Sequence, residues 1–231
     1  MCEYIAQLNS ASTYLRCIEH PLMPFDEIGS SDSAKSTKPS FLPPDPHDSA
    51  CVIRPNHLLS AIVNDEDRLE SVQVRWGWSP VWSMGTRPPL THLPLEVAMR
   101  SKVFERMRNG GRALVAVDGW FDLAMQDIST NKSRFTYMRP RSDGPVFLGA
   151  AQISETANGC NGLVLITLGG GGNADPLQLL ALNHEDALRW LDPSLDWQRA
   201  KEFASMKLDP EQAFEQVAVR QRVETPVRHL P

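Results

Sequence analysis

Cys2 follows the initiator Met directly, and cysteine is small enough for Met1 to be removed by the usual aminopeptidase. The chain then begins with a 1,2-aminothiol. Its amine condenses with an aldehyde, and its thiol adds to the resulting imine to close a thiazolidine ring. Such an amine titrates near about pH 8 and such a thiol near about 8.5, so neutral amine is available at neutral pH. The second group of interest is Asp122. The stretch Arg112 to Leu123 reads Arg-Ala-Leu-Val-Ala-Val-Asp-Gly-Trp-Phe-Asp-Leu. A strand-length apolar run breaks at Asp118-Gly119 and resumes with two large rings before an acid. A carboxylate among aromatics at the end of a buried strand can hold or release a proton in a partly dry pocket. Each residue taken alone has a plainer reading: a chance Cys at position 2, and a core strand ending in a surface acid.

The elements that must position these groups follow from patterning. Ala113 to Val117 is apolar and β-branched, as in strands buried on both faces. Tyr4 to Leu8 reads as a short strand carrying the N-terminus into the core. Val52 to Asn56 is extended and enters a turn, and Val72 to Trp76 is a strand. The sequence predicts a helix over Leu95 to Asn109, capped by Asn109-Gly110-Gly111. Phe135 to Tyr137, Val146 to Ile153 and Gly162 to Thr167 read as strands. His184 to Leu191 reads as a helix with Asn183 as N-cap and Asp192-Pro193 as its stop. Asp196 to Lys207 is a second such helix, and Gln216 to Arg220 alternates as a last strand.

Trp76-Gly77-Trp78-Ser79-Pro80-Val81-Trp82 places three tryptophans in seven residues. Such a segment can stack unpaired bases or plug a core. From His20 to Ser49, six prolines and six serines fall in 30 residues. This composition cannot easily offset its ordering entropy by burial, so about 20–49 reads as a surface excursion. The glycines from Gly169 to Gly172 lack the Gly-Lys-Ser/Thr of a phosphate loop, which argues against a nucleotide site.

At 231 residues the chain can bury a large core without metal or disulfide. Its net charge of −5 argues against non-specific coating of nucleic acid and leaves room for a local basic groove. Cys2, Cys17, Cys51 and Cys160 are scattered, as in a cytoplasmic protein with reduced thiols. No signal peptide or membrane-spanning run is evident, and no metal-ligand spacing is present. One α+β domain over 1–231, with the excursion inserted, is the economical reading.

Several landmarks fall in one order: Met1-Cys2, Arg54-Pro55, Trp76-Gly77-Trp78-Ser79-Pro80-Val81-Trp82, the helix with Arg100, Val115 to Asp122, and Leu165-Ile166-Thr167. This order resembles the SOS-response-associated peptidase family, whose members begin Met-Cys-Gly-Arg. Their further motifs are Trp-Gly-Leu-x-Pro-x-Trp, Asn-Ala-Arg-x-Glu, Pro-Ala-Asp-Gly-Phe-Tyr-Glu-Trp, an Ile-Thr strand and a late His-x-Arg-Met-Pro. The resemblance implies mixed, largely antiparallel sheets forming a barrel-like core surrounded by helices. It also implies recognition of abasic sites in single-stranded DNA, with a thiazolidine crosslink through the N-terminal Cys and no cofactor. Carried over by position, Cys2 is the nucleophile, Asp122 takes the place of the catalytic Glu, and Arg100 matches the motif Arg that contacts phosphate. Trp76 and Trp78 shape a DNA groove to which Arg54 is joined. Glu3-Tyr4 departs from Gly-Arg, Ala98 stands at the Asn, and Ala174 or Asn173 stands at the late His. Three readings follow: a crosslinking enzyme, a relative that keeps the fold and weak DNA binding without chemistry, and a peptidase. The sequence gives no oligomeric state, with a monomer as the default.

Overall fold

In the computed structural model the apolar runs pair into two sheets. The structure describes residues 2–20, 43–46, 48–66, 68–79, 87–105, 108, 111–127, 132–153, 162–169, 177–204 and 213–219. Most of the Pro/Ser-rich excursion therefore lies outside the described residues, as do Trp82, Asn173 and Ala174. In chain order the elements are β1 (Cys2–Ala6), α1 (Ala11–Glu19), β2 (Val52–Ile53), β3 (Leu58–Asp65), β4 (Arg68–Arg75), β5 (His92–Pro94) and α2 (Leu95–Arg100). Then come a 3-10 turn (Lys102–Phe104), β6 (Arg112–Val117), β7 (Gly119–Asp127), β8 (Lys132–Pro140), β9 (Val146–Ile153), β10 (Gly162–Leu168), β11 (Gln178–Leu179) and β12 (Ala181–Leu182). The chain ends with α3 (His184–Leu191), α4 (Trp197–Ala204) and β13 (Phe214–Ala218).

One sheet has the order β13-β8-β7-β1-β2, and the other runs β11-β10-β9-β6-β3-β4, with β12 on β9 and β5 on β10. The pairing is antiparallel except for β5 with β10. Among the described residues neither sheet closes on itself, so the barrel-like core expected from the resemblance is corrected to two open, stacked sheets. The burial of β6 fixes the layering. Ala113, Val115 and Val117 face the first sheet, together with Ile5, Trp120 and Phe214. Leu114 and Ala116 face a second core with Ile18, Leu95, Trp190 and Phe203 of the four helices. The larger sheet thus sits between the smaller sheet and a helical layer. That is why its central strand reads as an unbroken apolar run.

The strands at 146–153 and 162–168 and the helix at 184–191 lie where patterning puts them, and Asn183 Oδ1 accepts from the Asp186 amide at the N-cap. The helix expected over Leu95 to Asn109 is interrupted at Ser101, and helical residues resume at Lys102–Phe104, Glu105 and Arg108, with Asn109 outside the described residues. Ser101 takes an extended conformation and turns its hydroxyl to the Val103 amide, which starts the 3-10 turn. The sequence reading has no element over 11–19 or 58–65. Ser10 capping Thr13, with Tyr14, Cys17 and Ile18 buried at helical spacing, is the signal that marks α1.

Two side chains pin the N-terminal segment between the sheets. Gln7 donates through Nε2 to the Ser60 and Ala116 carbonyls and accepts from the Ser60 amide, so it ties β1 to β3 and β6. Asp118, at the corner between β6 and β7, accepts from the Leu8 amide, Asn9 Nδ2 and the Tyr14 hydroxyl. Burial raises the Asp118 carboxyl above the usual range although all three donors pull it down. Gly119 follows because a Cβ there would sit 2.5 Å from the Met138 carbonyl oxygen. Removing the carboxylate with Asp118→Ala strands three donors. It should lower the unfolding free energy by about 2–4 kcal/mol, read by urea titration. A loss under about 0.5 kcal/mol would show that the segment is held by other contacts.

His92 on β5 lies edge-on to Trp76, with its Nδ1 2.9 Å from Thr91 Oγ1. Its Nε2 is buried and meets no hydrogen-bond partner among the described residues. Burial first, and the N-terminal ammonium second, hold its pKa down at about 4. The folded state therefore binds this proton less tightly than the unfolded chain, whose imidazole titrates near about 6.5. The stability it supports is full above that pH and is lost as pH falls toward 4, by about 3 kcal/mol at the limit. Thermal melts between pH 7 and pH 4.5 should show this loss in the wild type and a shallower one in His92→Phe. Equal slopes would remove His92 from the acid response.

Candidate active site

The antiparallel pairing of β1 with β7 sets Cys2 directly opposite Asp122. The register contains a bulge. Cys2 pairs with Asp122 and Tyr4 with the adjacent Phe121, so Glu3 is the extra residue. Without it, Cys2 would share a face with Tyr4 and Ala6, which pack on Phe121 and Tyr137 at the outer face of the smaller sheet. With it, Cys2 turns inward beside Ile5 and Trp120. On β7, Trp120 and Asp122 share that inward face by ordinary alternation. Opposed residues of an antiparallel pair have Cβ atoms about 4.5–5.5 Å apart, so thiol and carboxylate are near neighbours.

Both line a cavity of about 450 Å3 that opens between the sheets. Met138 and Phe214 of the smaller sheet, Thr167 and Leu168 of β10 with Gly169 after it, Leu95 and Glu96 of α2 and Lys201 of α4 complete much of its wall. The volume is that of a small-ligand pocket. Cys2 is 3% exposed, and its Sγ–H donates to the Tyr4 carbonyl at 3.5 Å. Burial, then the Asp122 carboxylate, hold the thiol well above its ordinary range, against the opposing pull of the N-terminal ammonium. At neutral pH the sulfur is thus a thiol, not a thiolate. Thr167 is 1% exposed, and its Oγ1 has no hydrogen-bond partner among the described residues. At the mouth, Glu96 takes Lys201 Nζ at 2.8 Å on one carboxylate oxygen and Arg100 at 3.4 Å on the other.

The structure brings Cys2 and Asp122 together and disperses the remaining expected site residues. Trp76 and Trp78 are corrected from a stacking platform to core: they are 0% and 5% exposed and offer no open ring face to a base. Trp76 packs against His92 and donates through Nε1 to the Thr91 carbonyl, and Trp78 packs against Phe104. A tryptophan beside Gly and Pro buries more area as a plug than it can leave open. Arg54 lies over the Tyr4 ring, on the outer face of the smaller sheet, outside the cavity lining. Arg100 is 82% exposed and reaches the cavity only through Glu96. Ala98 is buried in the helical core, so an Asn there could not reach Cys2.

Sequence reasoning missed Glu96 and Lys201. They stand on separate helices and meet only in the fold. His92 lies outside the cavity lining, packed edge-on to Trp76. His184 is elsewhere, with Nε2 at the Ile18 carbonyl between α3 and α1. Among the described residues no group of His, Cys, Asp and Glu could hold a metal, and no helix is long and apolar enough to cross a membrane.

Three solved structures share the fold. A phage-related protein from Bordetella bronchiseptica superposes with a TM-score of 0.68 at 21% identity over 96% of both chains. A second protein from that organism gives 0.64 at 12% identity, over 95% of this chain and 100% of that one. A protein from Bacteroides thetaiotaomicron gives 0.62 at 14% identity, over 95% of this chain and 92% of that one. In sequence, the chain is similar to the abasic site processing protein YedK of Escherichia coli strain K12. The identity is 27% over 155 residues, 64% of this chain and 67% of that protein. The SOS response associated peptidase (SRAP) family profile matches residues 1–226, and the chain, with Cys2 set against an acid at its paired first strand, belongs to that family.

Proposed function

We propose that the chain, as one domain, captures abasic sites in single-stranded DNA by a covalent crosslink through Cys2 once Met1 has been removed. The observation that carries this reading is the register pair of Cys2 and Asp122 on one cavity wall. The similarity to an abasic site processing protein supplies the substrate class. The ring-opened sugar presents an aldehyde. The neutral amine of Cys2 adds to its carbon, and the hydroxyl of the adduct leaves as water to give an imine. The thiol then adds to the C=N bond, its proton passing to the nitrogen. One N–C and one S–C bond form, and one water is lost.

The protonated thiol fits this order of events. Amine attack needs no thiolate, and a thiol kept protonated by burial can pass its proton to the imine nitrogen as the sulfur adds. The same feature disfavours the peptidase reading, in which a thiolate must attack an amide at the outset. Asp122 is the acid–base partner. Facing Cys2, it can take a proton from the amine and return it to the departing hydroxyl.

Intact mass spectrometry after incubation with an oligonucleotide carrying an abasic site tests the reading. The expected species is protein lacking Met1 plus oligonucleotide minus one water. Cys2→Ala should form none, and Asp122→Asn should slow the reaction by about two to four orders of magnitude. Retention of Met1 in cells, or wild-type rates in Asp122→Asn, would sink the mechanism and favour the non-catalytic relative.

A further inference from the structure

We propose that Lys201 is the cation that seats the phosphodiester flanking the abasic sugar, and that Glu96 holds it in place until DNA arrives. The inference rests on the function proposed above and names the phosphate contact that reading lacks, since Arg54, Trp76 and Trp78 lie outside the cavity lining.

Lys201 projects from α4 to the wall of the same cavity as Cys2 and Asp122. Its side chain is 28% exposed, so its charge is less screened by water than that of an open surface lysine. Glu96 lies between Lys201 and Arg100. Two cations, Lys201 and Arg100, thus flank the one carboxylate of Glu96 in a chain whose overall charge is −5. A phosphodiester oxygen arriving there finds an ammonium already positioned. Electrostatic sorting then orients the substrate. The carboxylate of Asp122 repels phosphate from the inner end, so the anion stays beside Lys201 and the uncharged sugar aldehyde is left for Cys2.

Thr167 gives a second, independent sign of a ligand. Its hydroxyl is fully buried, lines the cavity and bonds to no described residue. Buried polar groups are ordinarily satisfied, and an oxygen of the sugar-phosphate backbone supplies the missing acceptor. A free sugar aldehyde needs only the Cys2 end of this cavity, whereas a backbone-linked sugar uses both ends.

The test compares Lys201→Gln and Lys201→Arg with wild type on two aldehydes: a single-stranded oligonucleotide with an abasic site, and free 2-deoxyribose, which has no phosphate. Lys201→Gln should lose about tenfold more rate on the oligonucleotide than on 2-deoxyribose at low salt. Its log–log salt dependence should flatten by about 0.7, and Lys201→Arg should recover most of the loss. An oligonucleotide rate equal to wild type, or equal losses on both aldehydes, would overturn the role of Lys201. Wild-type protein silent toward both aldehydes would instead overturn the crosslinking reading. Fluorescence anisotropy with an unreactive tetrahydrofuran-site oligonucleotide then decides Lys201 alone. Binding about tenfold weaker in Lys201→Gln supports the contact, and unchanged binding removes it.

Discussion

The pairing of Cys2 with Asp122 across β1 and β7 is a backbone constraint, and the juxtaposition of thiol and carboxylate in the cavity descends from it. An N-terminal strand of five residues would fray if only its own ladder held it. Gln7 and Asp118 prevent this from the far end of the strand. They bond the chain to β3, β6 and α1 just where it leaves the sheet. The anchor is rigid at residues 7–9, and the reactive residue sits five positions away. The sheet therefore positions Cys2, and the bulge at Glu3 decides which face its thiol takes.

The cavity combines groups that would neutralise one another if they met. Asp122 and Cys2 form the inner end, where burial keeps the sulfur protonated. Glu96 and Lys201 form the outer end, and Arg100 pairs with Glu96 from outside the lining. Thr167 stands between apolar walls supplied by both sheets and two helices. No layer could build such a space alone. The floor is sheet against sheet, and the mouth belongs to α2 and α4.

Burial accounts for the fate of the tryptophans. A Trp-rich segment with Gly and Pro has the composition of a stacking surface, but Trp76 fills the core between the sheets and Trp78 the core beneath the helices. Trp76 and Trp78 each hold an isolated bridge, to Leu163 and Leu90. Once those backbone bridges form, the side chains fall on inward faces, and solvent exposure is lost. Arg54 is excluded by the same alternation, because it follows β2 on the outer side of the smaller sheet.

Much of the framework was legible in the sequence because it depends on local periodicity. The unbroken run of β6, the strands at 146–153 and 162–168, and the capped helix from His184 each carry their own signal within ten residues. Cys2 and Asp122 were also legible as reactive types, one by its place after Met1 and the other by the rings before it. Three things were decided only by the tertiary structure: the inward turn of Cys2, the convergence of Glu96 and Lys201, and the burial of Trp76 and Trp78. The first depends on a one-residue register shift between strands more than a hundred residues apart, which leaves no periodic trace in either strand. The second depends on how two short helices dock on one sheet. The third depends on which of two faces a bridge closes. Side-chain chemistry is written along the chain, but proximity and solvent access are set by pairings between distant segments, and those are what bring a cysteine, an aspartate and a lysine to the wall of one cavity.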